Sequence, residues 1–352
     1  VLTVLASAEL AARVDDRLRY GIPLGAAPDQ AYDLRLHDTL GVRGRPHGRF
    51  RWWQLNAFGF RGPEMAVHPD STCPRVVVLG SSEAFGYYES PGHEFPAQLR
   101  DRLQGRRPCR EVVNAAIAGA SLHSMRRLWT QWVARFAPRY VIVYANPAFY
   151  LSTVAPAATT LVRADSRSGD RPRPWWTPRL LDRAHQALHY PAVIQRRRVA
   201  SLLDEEVAGH DTTWFFTTVP ADRLAQYAAD LDSLTASICA AGAAPVLVTH
   251  AVPFGALPAP GDSDLLREWR TYNPRATTGT LLAFNDSAAA VTGRVAARYG
   301  TLLVDAAGRL GGRPHYFVDF THFTDDGAAA MASLLDAALR GDSLSRPPCA
   351  RR

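Results

Sequence analysis

RVVVLGSSEAFGYYES, residues 75–90, sets the pattern for the rest of the chain. Three valines and a leucine in succession, closed by Gly80, suit a strand buried on both faces; a strand with one wet face would alternate apolar and polar residues. The chain then turns onto two adjacent serines, Ser81 and Ser82, and enters a loop and a helix. That turn is open to three readings: a nucleophile turn, a phosphate cradle, or a plain strand-to-helix connection.

Outward from it the same rhythm repeats. The apolar runs EVVNAA, YVIVYAN, APVLVTH and TLLVDA read as further buried strands, with helical segments between most of them at 96–104, 121–136, 221–241 and 281–299. Short continuous apolar strands alternating with helices predict a parallel sheet covered on both sides, a three-layer α/β/α fold of flavodoxin-like type. Residues 1–70 break the pattern and read as an N-terminal appendage packed on the core. In them RFRWWQLN predicts a β-strand followed by a turn at Gly59 and Gly62. The main domain spans 71–345, with an insertion at about 147–219 and a tail at 346–352. The insertion starts as a proline-rich loop and continues as an Arg-rich amphipathic helix, read as a lid or surface helix.

Composition narrows the function classes. A chain of 352 residues with 47% hydrophobic content can bury a full core. The net charge of +7 comes from arginine alone, because the sequence holds no lysine. Those arginines are scattered, so nucleic-acid binding is not expected. Four cysteines show no CxxC or Cys/His ligand spacing, and no metal or other cofactor is expected. Cys73 lies two residues before RVVVLG and Cys109 directly before REVVNA. If those are neighbouring parallel strands, both thiols sit at one sheet edge within reach of a bridge, which would imply an oxidising compartment. Two unrelated buried thiols are the alternative. No run of about 20 apolar residues is present. The opening VLTVLASAELAARV reads either as the remnant of an anchor or signal segment or as a first amphipathic helix.

The phosphate cradle fails for want of GxxxxGK[ST], and GSSEAFG lacks the second glycine of a dinucleotide fingerprint. A serine nucleophile needs a base and an orienting acid. Of eleven histidines, His322 has the fitting surroundings: in DFTHFTDDG, Asp319 precedes it by three residues, and a helix begins near Thr324. One loop can therefore present carboxylate and imidazole together.

With these residues in view, the sequence resembles the SGNH (GDSL-type) hydrolase family. VVVLGSSEAFG is similar to the family's first block, with Ser82 at the nucleophile position, and DFTHFTDDG to its last, with Asp319 and His322. VVNAAIAGAS resembles the second block and puts Gly119 at an oxyanion-hole glycine. Two departures stand out. Ser81 replaces the family's Asp, and the Gly-x-Asn-Asp block is missing, with Asn146 of ANPAFY the nearest substitute for its oxyanion amide. The resemblance implies a serine esterase with a Ser82–His322–Asp319 triad, an oxyanion hole from Ser82, Gly119 and Asn146, and no cofactor. Its expected substrate is an acylated carbohydrate or small ester, the acyl group being acetyl. Two further readings stay open: an O-acetyltransferase modifying an exported polysaccharide, served by a membrane-bound acyl donor protein, and a non-catalytic scaffold of polysaccharide assembly. An extracytoplasmic place is expected from the apolar opening, the possible disulfide and the LNAFGFRGPE segment, which resembles a region preceding the catalytic domain in envelope-associated members. Ser81 and His250, the latter at a strand's carboxyl end, are candidate pocket residues. Arg61 and Glu64 are candidates for the site's mouth, and Trp52, Trp53, Tyr87 and Tyr88 serve either as sugar platforms or as core.

Overall fold

In the computed structural model of the chain, the N-terminal region consists of a helix and two small hairpins. The structure describes residues 2–20, 23–25, 34–50, 53–104, 109–152, 178–180, 203–204, 206–255, 260–340 and Cys349. Helix α1 (Leu2–Tyr20) is followed by β1 (Arg35–Asp38) and β2 (Gly41–Gly44), paired antiparallel, and then by β3 (Arg49–Phe50) and β4 (Trp53–Gln54), also antiparallel. RFRWWQLN is thus a tight hairpin rather than the single strand its composition predicts. Asn56 helps to hold the chain just beyond it: its Oδ1 accepts the N–H groups of Phe58 and Phe60, and its amide donates to the Pro63 carbonyl. Trp52 lies outside the described residues.

The five apolar runs all form strands: β5 (Arg75–Gly80), β6 (Glu111–Asn114), β7 (Tyr140–Tyr144), β8 (Ala244–Val248) and β9 (Leu302–Val304). They make one parallel sheet in the order β6-β5-β7-β8-β9. The side chains divide by period two. Val77, Leu79, Val141, Val143 and Leu247 join one buried cluster with Trp129, Ile238 and Phe284, whereas Val76, Val78, Ile142, Tyr144 and Val246 join another with Leu99, Met331 and Leu335. These clusters are built from the covering helices, α3 (Leu122–Leu128), α4 (Ala221–Ala240) and α5 (Thr278–Tyr299) on one face, α2 (Phe95–Gln104) and α6 (Asp325–Arg340) on the other. Among the described residues, helix α1 contributes no side chain to either cluster. The three-layer expectation holds because a parallel strand bare on either side would leave such residues in water.

The helical reading of 121–136 needs a correction. The segment is an α-helix only to Leu128, then one π turn (Trp129–Val133) and a 3₁₀ turn (Ala134–Phe136). The change of winding leaves Trp129, Val133 and Phe136 all buried. Outside the sheet, the Arg61 N–H donates to the Asn114 carbonyl at 3.0 Å, which lays the N-terminal segment against the edge strand β6.

Cys73 and Cys109 are disulfide-bonded, with Cα atoms 4.9 Å apart, just before the register pair Arg75–Glu111. A second bridge, Cys239–Cys349, ties α4 to the C-terminal tail and was not anticipated from spacing. Most of the insertion, including its Arg-rich helix, lies outside the described residues. Among the described residues no helix is long and apolar enough to cross a membrane.

Candidate active site

β5 has β6 on one side and β7 on the other, so the strand order reverses at its carboxyl end. A parallel sheet opens a crevice there, where ligands bind in open α/β sheets. Ser81 and Ser82 occupy that point. Gly80 is needed for the close turn: a Cβ on it would stand 2.4 Å from the Ala84 Cβ and 3.1 Å from the Tyr144 carbonyl oxygen. The chain goes straight into a one-turn helix, Ser82–Phe85, which ends on Gly86 at φ 84°. As the first helical residue, Ser82 has an N–H with no intrahelical acceptor. Arg61 braces the far end of this turn. Its Nη1 donates to the carbonyls of Phe85 and Gly86, each at 2.5 Å, and its Nη2 to Glu94 Oε2 at 3.0 Å. Arg61 therefore supports the Ser81–Ser82 turn from behind and is buried, rather than lining the mouth. Glu64 is exposed and accepts the Ala57 N–H within its own turn, so it does not reach the site.

The 317–323 loop brings the other two residues. Phe317 and Phe323 pair across its base, and the Val318 N–H donates to the His322 carbonyl at 2.8 Å. Asp319 Oδ1 accepts the backbone N–H groups of Thr321 and His322 at 2.9 and 2.8 Å, leaving Oδ2 for His322 Nδ1 at 2.7 Å. His322 Nε2 then lies 2.9 Å from Ser82 Oγ. The three sequence-predicted residues form one continuous hydrogen-bond line. With Nδ1–H held by the carboxylate, Nε2 is free to accept the serine hydroxyl hydrogen. Burial pushes the His322 pKa down, but the hydrogen bond and charge of Asp319, aided by the charge of Glu83, leave it above its ordinary 6.5.

The expected oxyanion donors are not equally open. The Gly119 N–H donates to Ser81 Oγ at 3.0 Å, so it is engaged by the serine just before Ser82. Asn146 directs its amide nitrogen to Glu83 Oε1 at 2.7 Å, while its Oδ1 caps the following turn through the Ala148 N–H at 2.9 Å. Both therefore differ from the reading as free donors, because each found a neighbour that the sequence alone does not pair with it. The Ser82 N–H remains. Ser81 is fully buried. His250 is buried behind the triad, with Nδ1 2.9 Å from Asn285 Oδ1 and Nε2 3.2 Å from Thr321 Oγ1.

Tyr87 and Tyr88 are exposed beside the imidazole, with ring centroids 6.0 and 4.9 Å from that of His322. Trp53 is buried against Tyr87 and is core. Residues missed from sequence are Glu83, Thr321 and Glu89. A charged residue directly after a buried strand-turn was the available signal for Glu83. Glu89 is 1% exposed, and one oxygen accepts the Tyr88 N–H while Oε1 has no partner among the described residues. Burial raises its pKa to about 8, against the pull of backbone hydrogen bonds and of the His322 and Arg61 charges.

Comparison with known proteins adds solved structures of low similarity. No protein-family model matches the chain, and no curated protein matches it. A putative acylhydrolase from Bacteroides fragilis is 14% identical with TM-score 0.45, covering 78% of this chain and 89% of its own. An acetyl-xylooligosaccharide esterase mutant from Geobacillus stearothermophilus is also 14% identical with TM-score 0.45, at 78% and 96% coverage. The lipase/acylhydrolase from Enterococcus faecalis is 12% identical with TM-score 0.45, at 80% and 99%. At that distance the activities named belong to those proteins, and the chemistry of this chain is argued from its own residues.

Proposed function

We propose that this protein is a serine esterase of SGNH type, with Ser82 as nucleophile, His322 as general base and Asp319 as the acid that orients it. The observation carrying the reading is the line Ser82 Oγ–His322 Nε2–Asp319 at 2.9 and 2.7 Å, set at the carboxyl end of a parallel sheet. Ser82 Oγ attacks the ester carbonyl while its proton passes to His322 Nε2. The C–O bond to the alcohol breaks as the imidazolium returns that proton to the leaving oxygen. Water, deprotonated by the same imidazole, then releases the acid from the acyl-serine. The Ser82 N–H at the helix start supports the developing oxyanion. Gly119 and Asn146 contribute only if their amides turn from Ser81 and Glu83, and each missing donor costs roughly 10²–10³ in rate.

The substrate class we favour is an acetylated carbohydrate. Tyr87 and Tyr88 support it, since exposed aromatic faces beside the base can stack on a sugar ring. An extracytoplasmic location is supported by the two disulfides. Hydrolysis of p-nitrophenyl acetate and labelling by a fluorophosphonate test the core of the proposal. Both should fall at least ~10³-fold in Ser82→Ala. Labelling that persists in that variant would show another nucleophile.

A further inference from the structure

Behind the triad lies a second set of buried polar groups that ester cleavage by Ser82, His322 and Asp319 does not by itself require. Glu83, the residue after the nucleophile, is 2% exposed in its side chain, as is His250. Glu83 Oε1 accepts the Asn146 amide at 2.7 Å and the Thr321 hydroxyl at 2.9 Å, and lies 3.5 Å from His250 Nε2. Glu83 Oε2 is 3.5 Å from Ser82 Oγ. Tyr144 stacks on the His250 ring at 5.5 Å.

The hydrogens can be counted. Asn285 donates its amide N–H to the His250 carbonyl at 3.2 Å, which turns its Oδ1 toward His250 Nδ1 at 2.9 Å. An oxygen facing Nδ1 requires a hydrogen on Nδ1. Thr321 has one hydroxyl hydrogen but two neighbours able to accept it, His250 Nε2 at 3.2 Å and Glu83 Oε1 at 2.9 Å; its third neighbour, the Asn146 amide at 3.5 Å, only donates. If His250 and Glu83 both lacked their protons, one of those contacts would set two acceptors face to face. The network closes only with one further proton, either on His250 Nε2 or on Glu83. The Asn146 amide at 2.7 Å favours the carboxylate, because a charged acceptor makes the shorter and stronger bond.

From this geometry we infer that Glu83 and His250 are a buried carboxylate–imidazolium pair bridged by Thr321, and that Glu83 acts as a positioning residue for the triad. It holds the Asn146 amide from one oxygen and directs negative charge at His322. The inference rests on the Ser82–His322–Asp319 reading for its effect on catalysis, though not for the existence of the pair. In the reaction, the Ser82 proton still goes to His322 Nε2 and no proton moves along the Glu83–Thr321–His250 chain. Glu83 favours the imidazolium that forms as the Oγ–carbon bond is made. Burial alone would raise the Glu83 pKa, but the hydrogen bond and charge of His250, with the charge of His322, hold it down at about 2. The charged and titratable groups facing His322 are Asp319, Glu83, Glu89, Tyr87 and Tyr88; Tyr144 and His250 face Glu83.

Two measurements on the whole protein test the pair. Histidine ¹⁵N NMR near neutral pH should show His250 with both ring nitrogens protonated, and with one of them deprotonated in Glu83→Gln. The pH profile of kcat/KM on p-nitrophenyl acetate should keep its shape in Glu83→Gln, but with its acid limb moved down by about half a pH unit or more. A merely structural Glu83 would change the height of that profile and not its position. A neutral His250 in the wild type, or an unmoved acid limb in a folded Glu83→Gln, overturns the inference. Should Glu83→Gln not fold, the wild-type NMR spectrum decides alone. Ser82→Ala separates the two failures: full activity there sinks the triad, whereas its loss with an unmoved limb in Glu83→Gln sinks only the role of Glu83.

Discussion

At the scale of single residues, His322 faces three carboxyl groups of different kinds. Asp319 touches it and Glu83 acts on it through charge, while Glu89 adds its charge only as it ionises, near pH 8. Their sum raises the His322 pKa, and only its neutral form can take the Ser82 proton. The acid limb of kcat/KM is therefore expected to have its midpoint above 6.5. Asp319→Asn, which keeps the shape but loses the charge and the tautomer control, should lower kcat by ~10⁴-fold. Glu89 gives a stability prediction with a definite sign. Its folded pKa of about 8 is above the ordinary 4.5, so the folded state binds more protons between those values. The contribution is complete below 4.5 and is lost as pH rises through about 8. Glu89→Gln should thus melt higher than the wild type at pH 9, by an amount on the order of 1–3 kcal/mol, and gain much less at pH 5. Equal gains at both pH values would mean that Glu89 is not held protonated by burial.

At the scale of elements, the strand-to-turn junction is the least tolerant point of the site. A methyl on Gly80 would meet the Ala84 Cβ at 2.4 Å, with β5 on one side and the Ser81–Ser82 turn on the other. Gly80→Ala should therefore cost about 1–3 kcal/mol in chemical denaturation and displace Ser82 from His322. Activity should fall more steeply than stability, since a misplacement near 1 Å can cost ~10²-fold. The 317–323 loop was largely readable in advance, because Asp-x-x-His is a local pattern closed by its own backbone N–H groups. Gly119 and Asn146 were not readable in the same way. Their amides go to Ser81 and Glu83, residues brought in from another element.

At the scale of the whole molecule, two disulfides span separations of 36 and 110 residues. Loop-closure entropy sets their stabilisation at roughly 4 and 5 kcal/mol as an upper measure, with 2–4 kcal/mol each the usual yield. Reduction should lower the melting temperature, and Cys73→Ser/Cys109→Ser should reproduce part of the loss. An unchanged melting curve after complete reduction would show that the bridges add nothing to the fold.

The parallel sheet and its order of strands and helices were legible in the chain itself, and so was the meeting of Ser82, Asp319 and His322 on which the proposed triad rests. Buried strands need unbroken apolar runs, and a triad needs particular residue types at strand ends and loops. The hairpin at 49–54, the π turn at 129–133 and the Cys239–Cys349 bridge depended on the tertiary structure, since each is settled by what packs against it. The same holds for Glu83 and His250. In sequence they are an ordinary acid and a lone histidine 167 positions on (250 less 83). Only folding removes both from water, and burial is what makes two charges seek each other.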